Sequence, residues 1–212
     1  GSFGVRVRVP ATSANLGPGF DAFGLALELR DDVAAWPEPS LGPAGLRLEV
    51  EGEGAASVPR DRGHLVVRAM DATFGRLGVA PRPLAVRCTN RIPHGRGLGS
   101  SAAAIVSGVL AARALVPGGT DLLDEADVLA LAAEIEGHAD NVAACLLGGL
   151  CIAWTERDHA RAVRLDPAPG VVPVAFVAAT SVQTSVARGL LPPSVPHRDA
   201  AHDAAGTPAG HR

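Results

Sequence analysis

Apolar and polar residues alternate along residues 3–9, Phe-Gly-Val-Arg-Val-Arg-Val, the period-two pattern of a half-buried strand that Pro10 is expected to end. A second strand is predicted at Phe23–Leu29, paired with the first, and a third at Leu46–Val50. Between them, Asp31–Gly45 is rich in Pro and Gly and reads as irregular. The period changes at Leu65. Leu65, Val66, Ala69, Met70, Phe74 and Leu77 recur at helical spacing, and Gly78 supplies a stop. A strand from Leu84 leads into a glycine-rich stretch, and an Ala-rich apolar helix follows from near Ser100 to Leu115. Pro117-Gly-Gly119 breaks the chain, and Asp121 or Asp124 caps a further helix over Glu125–Glu136. Gly148–Trp154 reads as a strand entered through a tight turn, Thr155–Asp166 as a polar hairpin or linker, and Val171–Ala179 as a buried strand. A helix begins again near Asp199 and meets Gly206, Pro208 and Gly210.

Composition narrows the class. With 212 residues, 47% hydrophobic and 19% charged, the chain can bury a solid core. Aromatics are 3% and Tyr is absent, so Ala, Val and Leu must fill that core. A net charge of −3 leaves no basic footprint for nucleic acid. Cys88, Cys145 and Cys151 sit in apolar runs, odd in number and without zinc spacing, which reads as reduced, buried thiols of a cytoplasmic protein. The polar, alternating start does not resemble a signal peptide, and no apolar run is long and clean enough to span a membrane.

The chemistry concentrates in three blocks. Pro93-His-Gly-Arg-Gly-Leu-Gly-Ser-Ser-Ala-Ala103 places glycines at alternate positions just before a helix. Glycine lets the backbone approach a ligand closely, and a helix start offers free N–H groups at the positive end of its dipole. Together they suit phosphate. Ser100 and Ser101 add hydroxyls that cap the helix or reach a phosphate-bound Mg²⁺. This is not a Walker loop, because the chain contains no Lys. The second block is Ala11–Asp21, where Asn15 and Asp21 either hold an amine and a hydroxyl of a ligand or bond their own backbone. In the third, Glu134, Glu136, His138 and Asp140 crowd a helix end, where acidic groups oppose the helix dipole unless a cation such as Mg²⁺ is near. Arg188 either clamps a carboxylate or faces solvent.

Taken together, Pro10–Asp21, Gly97–Ala103 and Glu136-Gly-His-Ala-Asp-Asn-Val142 with Gly148-Gly149 resemble the homoserine kinase family of the GHMP small-molecule kinases, from about Val5 to Asp199. The resemblance implies an α+β fold: an N-terminal α/β domain (1–155) and a ferredoxin-like C-terminal domain that starts at 156–212 and is incomplete, since family members run longer. It implies transfer of a phosphoryl group from ATP to the side-chain hydroxyl of L-homoserine, in threonine biosynthesis. By the same resemblance Pro93, His94, Gly95, Arg96, Gly97, Leu98, Gly99, Ser100, Ser101, Ala102 and Ala103 hold ATP. Ser101 (or Ser100) and Glu134 hold Mg²⁺. Asn15, Asp21, His138, Asp140, Asn141, Thr184 and Arg188 line the homoserine pocket, with Asp140 and Asn141 catalytic. A homodimer is a further implication. The rival expectations are another GHMP kinase acting on a different alcohol, and a non-catalytic nucleotide-binding remnant.

Overall fold

The computed structural model describes residues 4–17, 19–80, 82–177, 190, 192 and 194–204, with 202–204 described by backbone alone. Six strands form one mixed sheet: β1 (Val5–Ala14), β2 (Phe23–Pro37), β3 (Leu46–Gly52), β4 (Leu84–Asn90), β5 (Leu150–Glu156) and β6 (His159–Leu165). The helices among the described residues are α1 (Leu65–Arg76), α2 (Ser100–Leu115), α3 (Gly119–Leu122), α4 (Glu125–Glu136), α5 (Asp140–Leu147) and α6 (His197–Ala204).

β2 is the spine. β1 runs antiparallel along one edge, while β4 and β5 share the other, β4 beside Asp32–Pro37 and β5 beside Phe23–Leu25. β3 adds parallel to β4, and β6 adds antiparallel to β5. Two expectations are corrected here. β1 does not end at Pro10: the register passes from Pro10↔Arg30 to Thr12↔Ala26, a bulge in which Ala11 faces Leu27–Leu29. A bulge on an edge strand is where proline's missing N–H is tolerated. Nor is the chain irregular from Asp31, since β2 runs to Pro37 with Val33 and Ala35 buried. Its two aspartates are accommodated because Asp32 meets Arg6, Arg8 and Arg91, and Asp31 accepts backbone N–H groups.

α1, α2, α4 and α5 cover one face of the sheet. α2 is buried on most sides, with Ala102, Ala103, Ile105, Val106, Val109 and Ala112 at or near zero exposure. Its small residues allow close packing: a Cβ on Gly108 would lie 2.4 Å from the Val66 carbonyl oxygen of α1. α4 begins with a capping box in which Asp124 and Asp127 each accept the other's backbone N–H. Gly137, at φ 91°, ends it and turns the chain into α5.

The β5–β6 hairpin turns at Arg157 and Asp158, both at positive φ, as a type I′ two-residue turn requires. The domain division expected after residue 155 falls within β5, and β6 stays in the sheet. The buried strand predicted at Val171–Ala179 is a further correction. Residues 171–177 carry no regular structure, and Val172 and Phe176 are 76% and 93% exposed. Among the described residues the sheet ends at β6, so this apolar run has no strand to pair with. Residues 178 and 179 lie outside the described residues. No helix among the described residues is long and apolar enough to cross a membrane.

Candidate active site

The glycine loop leaves β4 at a buried pivot. Ile92 is fully buried, and Leu98 plugs the far end of the loop into the core. Between them Gly95, Arg96 and Gly97 are exposed, and Gly95, Gly97 and Gly99 all have φ near 70°. Gly99 is the N-cap of α2, and no side chain caps the helix, so its first N–H groups stay open toward the loop. The helix cap foreseen for Ser100 or Ser101 is therefore not made. Instead, the Ser101 hydroxyl donates to Glu136 Oε2 at 2.6 Å.

That bond begins a circuit through all three blocks. Glu136 Oε1 lies 3.7 Å from His138 Nε2, and His138 Nδ1 and Asp140 Oδ1 share a hydrogen bond of 2.6 Å. Asp140 Oδ1 also accepts the Asn141 N–H, and Asn141 Oδ1 accepts from the Thr12 hydroxyl at 2.7 Å. The Thr12 N–H then donates to the Leu98 carbonyl of the loop, closing the ring. Gly99 completes the fit, since a Cβ there would stand 2.0 Å from Thr12 Oγ1 and 3.2 Å from Asn141 Oδ1. Asp140 is wholly buried at the start of α5. Burial pushes the Glu136 carboxyl above its ordinary range; the Ser101 bond and His138 pull it back, and Asp140 adds to the rise.

The placement of the other candidates differs. Asn15 Oδ1 accepts the Asp21 N–H at 2.8 Å, so this side chain closes its own loop, the alternative left open by the sequence. Both residues hold positive φ, 58° and 54°, an unfavourable conformation outside glycine. The loop still abuts the circuit. The Asn15 N–H bonds the Phe23 carbonyl, and the next residue, Gly24, packs so closely on α5 that a Cβ would meet the Asp140 carbonyl oxygen at 2.3 Å. Glu134 is a correction: it pairs with Arg76 at 3.1 Å with 70% of its side chain exposed, on the far side of α4 from Ser101. Positions two apart on a helix point to nearly opposite faces, so only one of Glu134 and Glu136 can face α2. Thr184 and Arg188 lie outside the described residues.

Beside the start of α2 a cavity of about 300 Å³ opens between the glycine loop and α1. Val58, Pro59, Leu65, Val66, Ala103 and Ala104 give it apolar walls, and Asp31, His64, Asn90, His94, Ser100 and Ser101 give it polar ones. His64 Nδ1 accepts the Val66 N–H and caps α1, and burial lowers its pKa. A larger concavity at Arg8, Leu110 and Cys145–Gly149 contains none of the candidate residues. Thr12, Asp31, Glu136, His64 and Asn90 were not among the residues assigned from sequence. Thr12 and Glu136 lie inside the motif blocks, but the other three carry no local signal.

Residues 64–149 match the model of the GHMP kinases N terminal domain. The homoserine kinase of Streptomyces coelicolor is 58% identical over 200 residues, covering 94% of this chain and 63% of that protein. That of Streptomyces avermitilis is 57% identical, covering 94% and 64%. The crystal structure of homoserine kinase from Cytophaga hutchinsonii superposes with a TM-score of 0.77 at 29% identity, covering 95% of this chain and 64% of that one. The chain thus spans a little under two thirds of the length of each of these relatives. Sequence and fold agree: residues 64–149 carry the pattern of a GHMP kinases N terminal domain, and the proteins this chain matches along most of its own length are homoserine kinases.

Proposed function

We propose that this chain carries the nucleotide site and much of the substrate site of a homoserine kinase, which moves the terminal phosphoryl group of ATP to the side-chain hydroxyl of L-homoserine in threonine biosynthesis. One observation carries the reading: the closed circuit from Ser101 through Glu136, His138, Asp140, Asn141 and Thr12 to Leu98 puts the anion-binding loop against the acidic turn. The ~300 Å³ cavity beside it suits a nucleoside, with apolar walls for a flat base and polar groups for the sugar.

Phosphoryl transfer asks mainly for positioning and neutralisation of charge. The open N–H groups of α2 and the positive-φ glycines supply a fixed anion cradle. Ser101 Oγ and Glu136 Oε2 are hard oxygen donors 2.6 Å apart, and burial disfavours the Glu136 charge in the absence of a cation. They fit Mg²⁺, which uses few protein oxygens and leaves its other positions to phosphate and water. Bound there, Mg²⁺ would neutralise phosphate charge. Asp140 and Asn141 orient the substrate hydroxyl: Asp140 is held by His138 and its neighbour's N–H, and Asn141 by Thr12. In this reading Asn15, Asp21, Thr184 and Arg188 serve as further homoserine-binding residues. A second domain follows β6, the enzyme works in the cytoplasm, and it pairs as a homodimer.

The purified chain is expected to bind ATP–Mg²⁺ and to release ADP only when L-homoserine is added, read by a coupled assay alongside mevalonate and sugars. Turnover with mevalonate and none with homoserine overturns the substrate. Calorimetric binding of ATP–Mg²⁺ and homoserine without turnover assigns the chain a non-catalytic role instead.

A further inference from the structure

We propose that Asp31 is a positioning residue of the nucleotide site: its carboxylate holds the backbone where β4 ends and the glycine loop begins, and so sets where the phosphates are met. The inference rests on reading the cavity beside α2 as the nucleotide site. Asp31 belongs to none of the three sequence blocks. It projects from β2, is only 6% exposed, and forms part of the cavity wall. Its Oδ1 accepts two consecutive backbone N–H groups, from Arg91 at 2.6 Å and Ile92 at 2.9 Å.

These two amides lie where the sheet can no longer serve them. Pairing of β4 stops at Asp32↔Thr89 on one side and at Gly52↔Asn90 on the other. Arg91 and Ile92 come next, and Pro93 follows with no N–H to give. Buried amides need partners, and one carboxylate oxygen from the central strand serves both. The Arg91 guanidinium is tied separately, to the Arg30 carbonyl and to Asp32 Oδ2. At the other end of the loop, Thr12 holds Leu98 and backs Gly99. The exposed Gly95–Gly97 crest is thus strung between two fixed points, Asp31 and Thr12.

A buried carboxylate beside an anion site repels the ligand, so its presence calls for a compensating role. Holding the loop is that role, and it needs the acceptor oxygen rather than the charge. Asp31→Asn keeps an oxygen in place; Asp31→Ala removes it and strands two amides. Each stranded amide is worth enough that ATP–Mg²⁺ affinity of Asp31→Ala should fall at least about tenfold by calorimetry, and exchange of the Arg91 and Ile92 amides should speed up at least about tenfold. Asp31→Asn should stay within about threefold of the parent on both, and Asp32→Asn, which frees only arginine side chains, within about twofold on affinity. If Asp31→Ala does not fold, Asp31→Ser takes its place, its hydroxyl being too short to span both amides.

Parent-like exchange at Arg91 and Ile92 in Asp31→Ala would overturn the proposal. So would lost stability with unchanged affinity, which marks a purely structural residue, or Asp31→Asn failing as badly as Asp31→Ala, which marks the charge as the active element. Amide exchange is read without ligand, so it decides the role of Asp31 even if the parent chain binds no nucleotide, an outcome that instead sinks the proposed function.

Discussion

Gly99 shows how much one missing side chain decides. It combines φ 68° with a Cβ position 2.0 Å from Thr12 Oγ1, so both conformation and space disfavour any other residue. Gly99→Ala should lose about 1–2 kcal/mol from backbone conformation alone, with more from displacing Thr12. Because Thr12 in turn holds Asn141, nucleotide affinity and turnover should fall together. Denaturant unfolding and ATP titration check this; parent-like affinity in a folded Gly99→Ala would separate the loop from the acidic turn. The sequence marked this glycine but not its neighbour, because the Thr12–Asn141 contact joins residues 129 apart in the chain. The sequence could not separate Glu134 from Glu136 for a related reason. Both acids end the same helix, and only the packing of α4 against α2 selects Glu136.

β2 is the element on which the others are hung. Its Asp32 is nearly buried and draws Arg6 and Arg8 from β1 and Arg91 from the end of β4. Burial alone would raise its pKa, but hydrogen bonds from Arg8 and Arg91 and the charge of Arg6 outweigh that and hold it at about 2. The unfolded value is higher, so Asp32 stabilises the fold fully above the unfolded pKa, and that contribution disappears as pH falls through the folded one. The arginines are about half exposed, so the contribution is on the order of 1–2 kcal/mol. Urea midpoints between about pH 5 and pH 2 should therefore fall less steeply in Asp32→Asn than in the parent. Equal slopes would show that the cluster does not couple to folding. Helical elements were legible to the residue, as in α2 and α4, because period and caps are local. The length of β2 was not, because strand pairing is supplied by distant residues.

Across the whole molecule, the sheet face turned away from the helices is uneven. Around β1, β2 and β4 it carries Arg6, Arg8, Asp32 and Arg87. Around β5 and β6 it carries two apolar rows, Leu25–Leu150–Leu165 and Phe23–Ile152–Val163, beside Trp154 at 47% exposure. With the edge of β6, unpaired among the described residues, and the exposed run at 171–177, this face should make the isolated chain self-associate as concentration rises. Val163→Lys with Leu165→Lys should reduce that association in sedimentation experiments while moving stability by less than about 1 kcal/mol, as surface changes usually do. Association unchanged in the double variant would place the sticky surface elsewhere. The amino-acid order by itself determined α1, α2 and α4, most strand positions, the three motif blocks and the likeness to kinases, since each rests on local period, glycine placement or contiguous residues, whereas α3 and α5 carried no such signal. Tertiary structure alone decided that Glu136 meets Ser101, that Thr12 backs the loop, that Asp31 holds its hinge and that Val171–Val177 lies exposed. Each of those depends on which distant surfaces come to share a contact, and no local pattern encodes that.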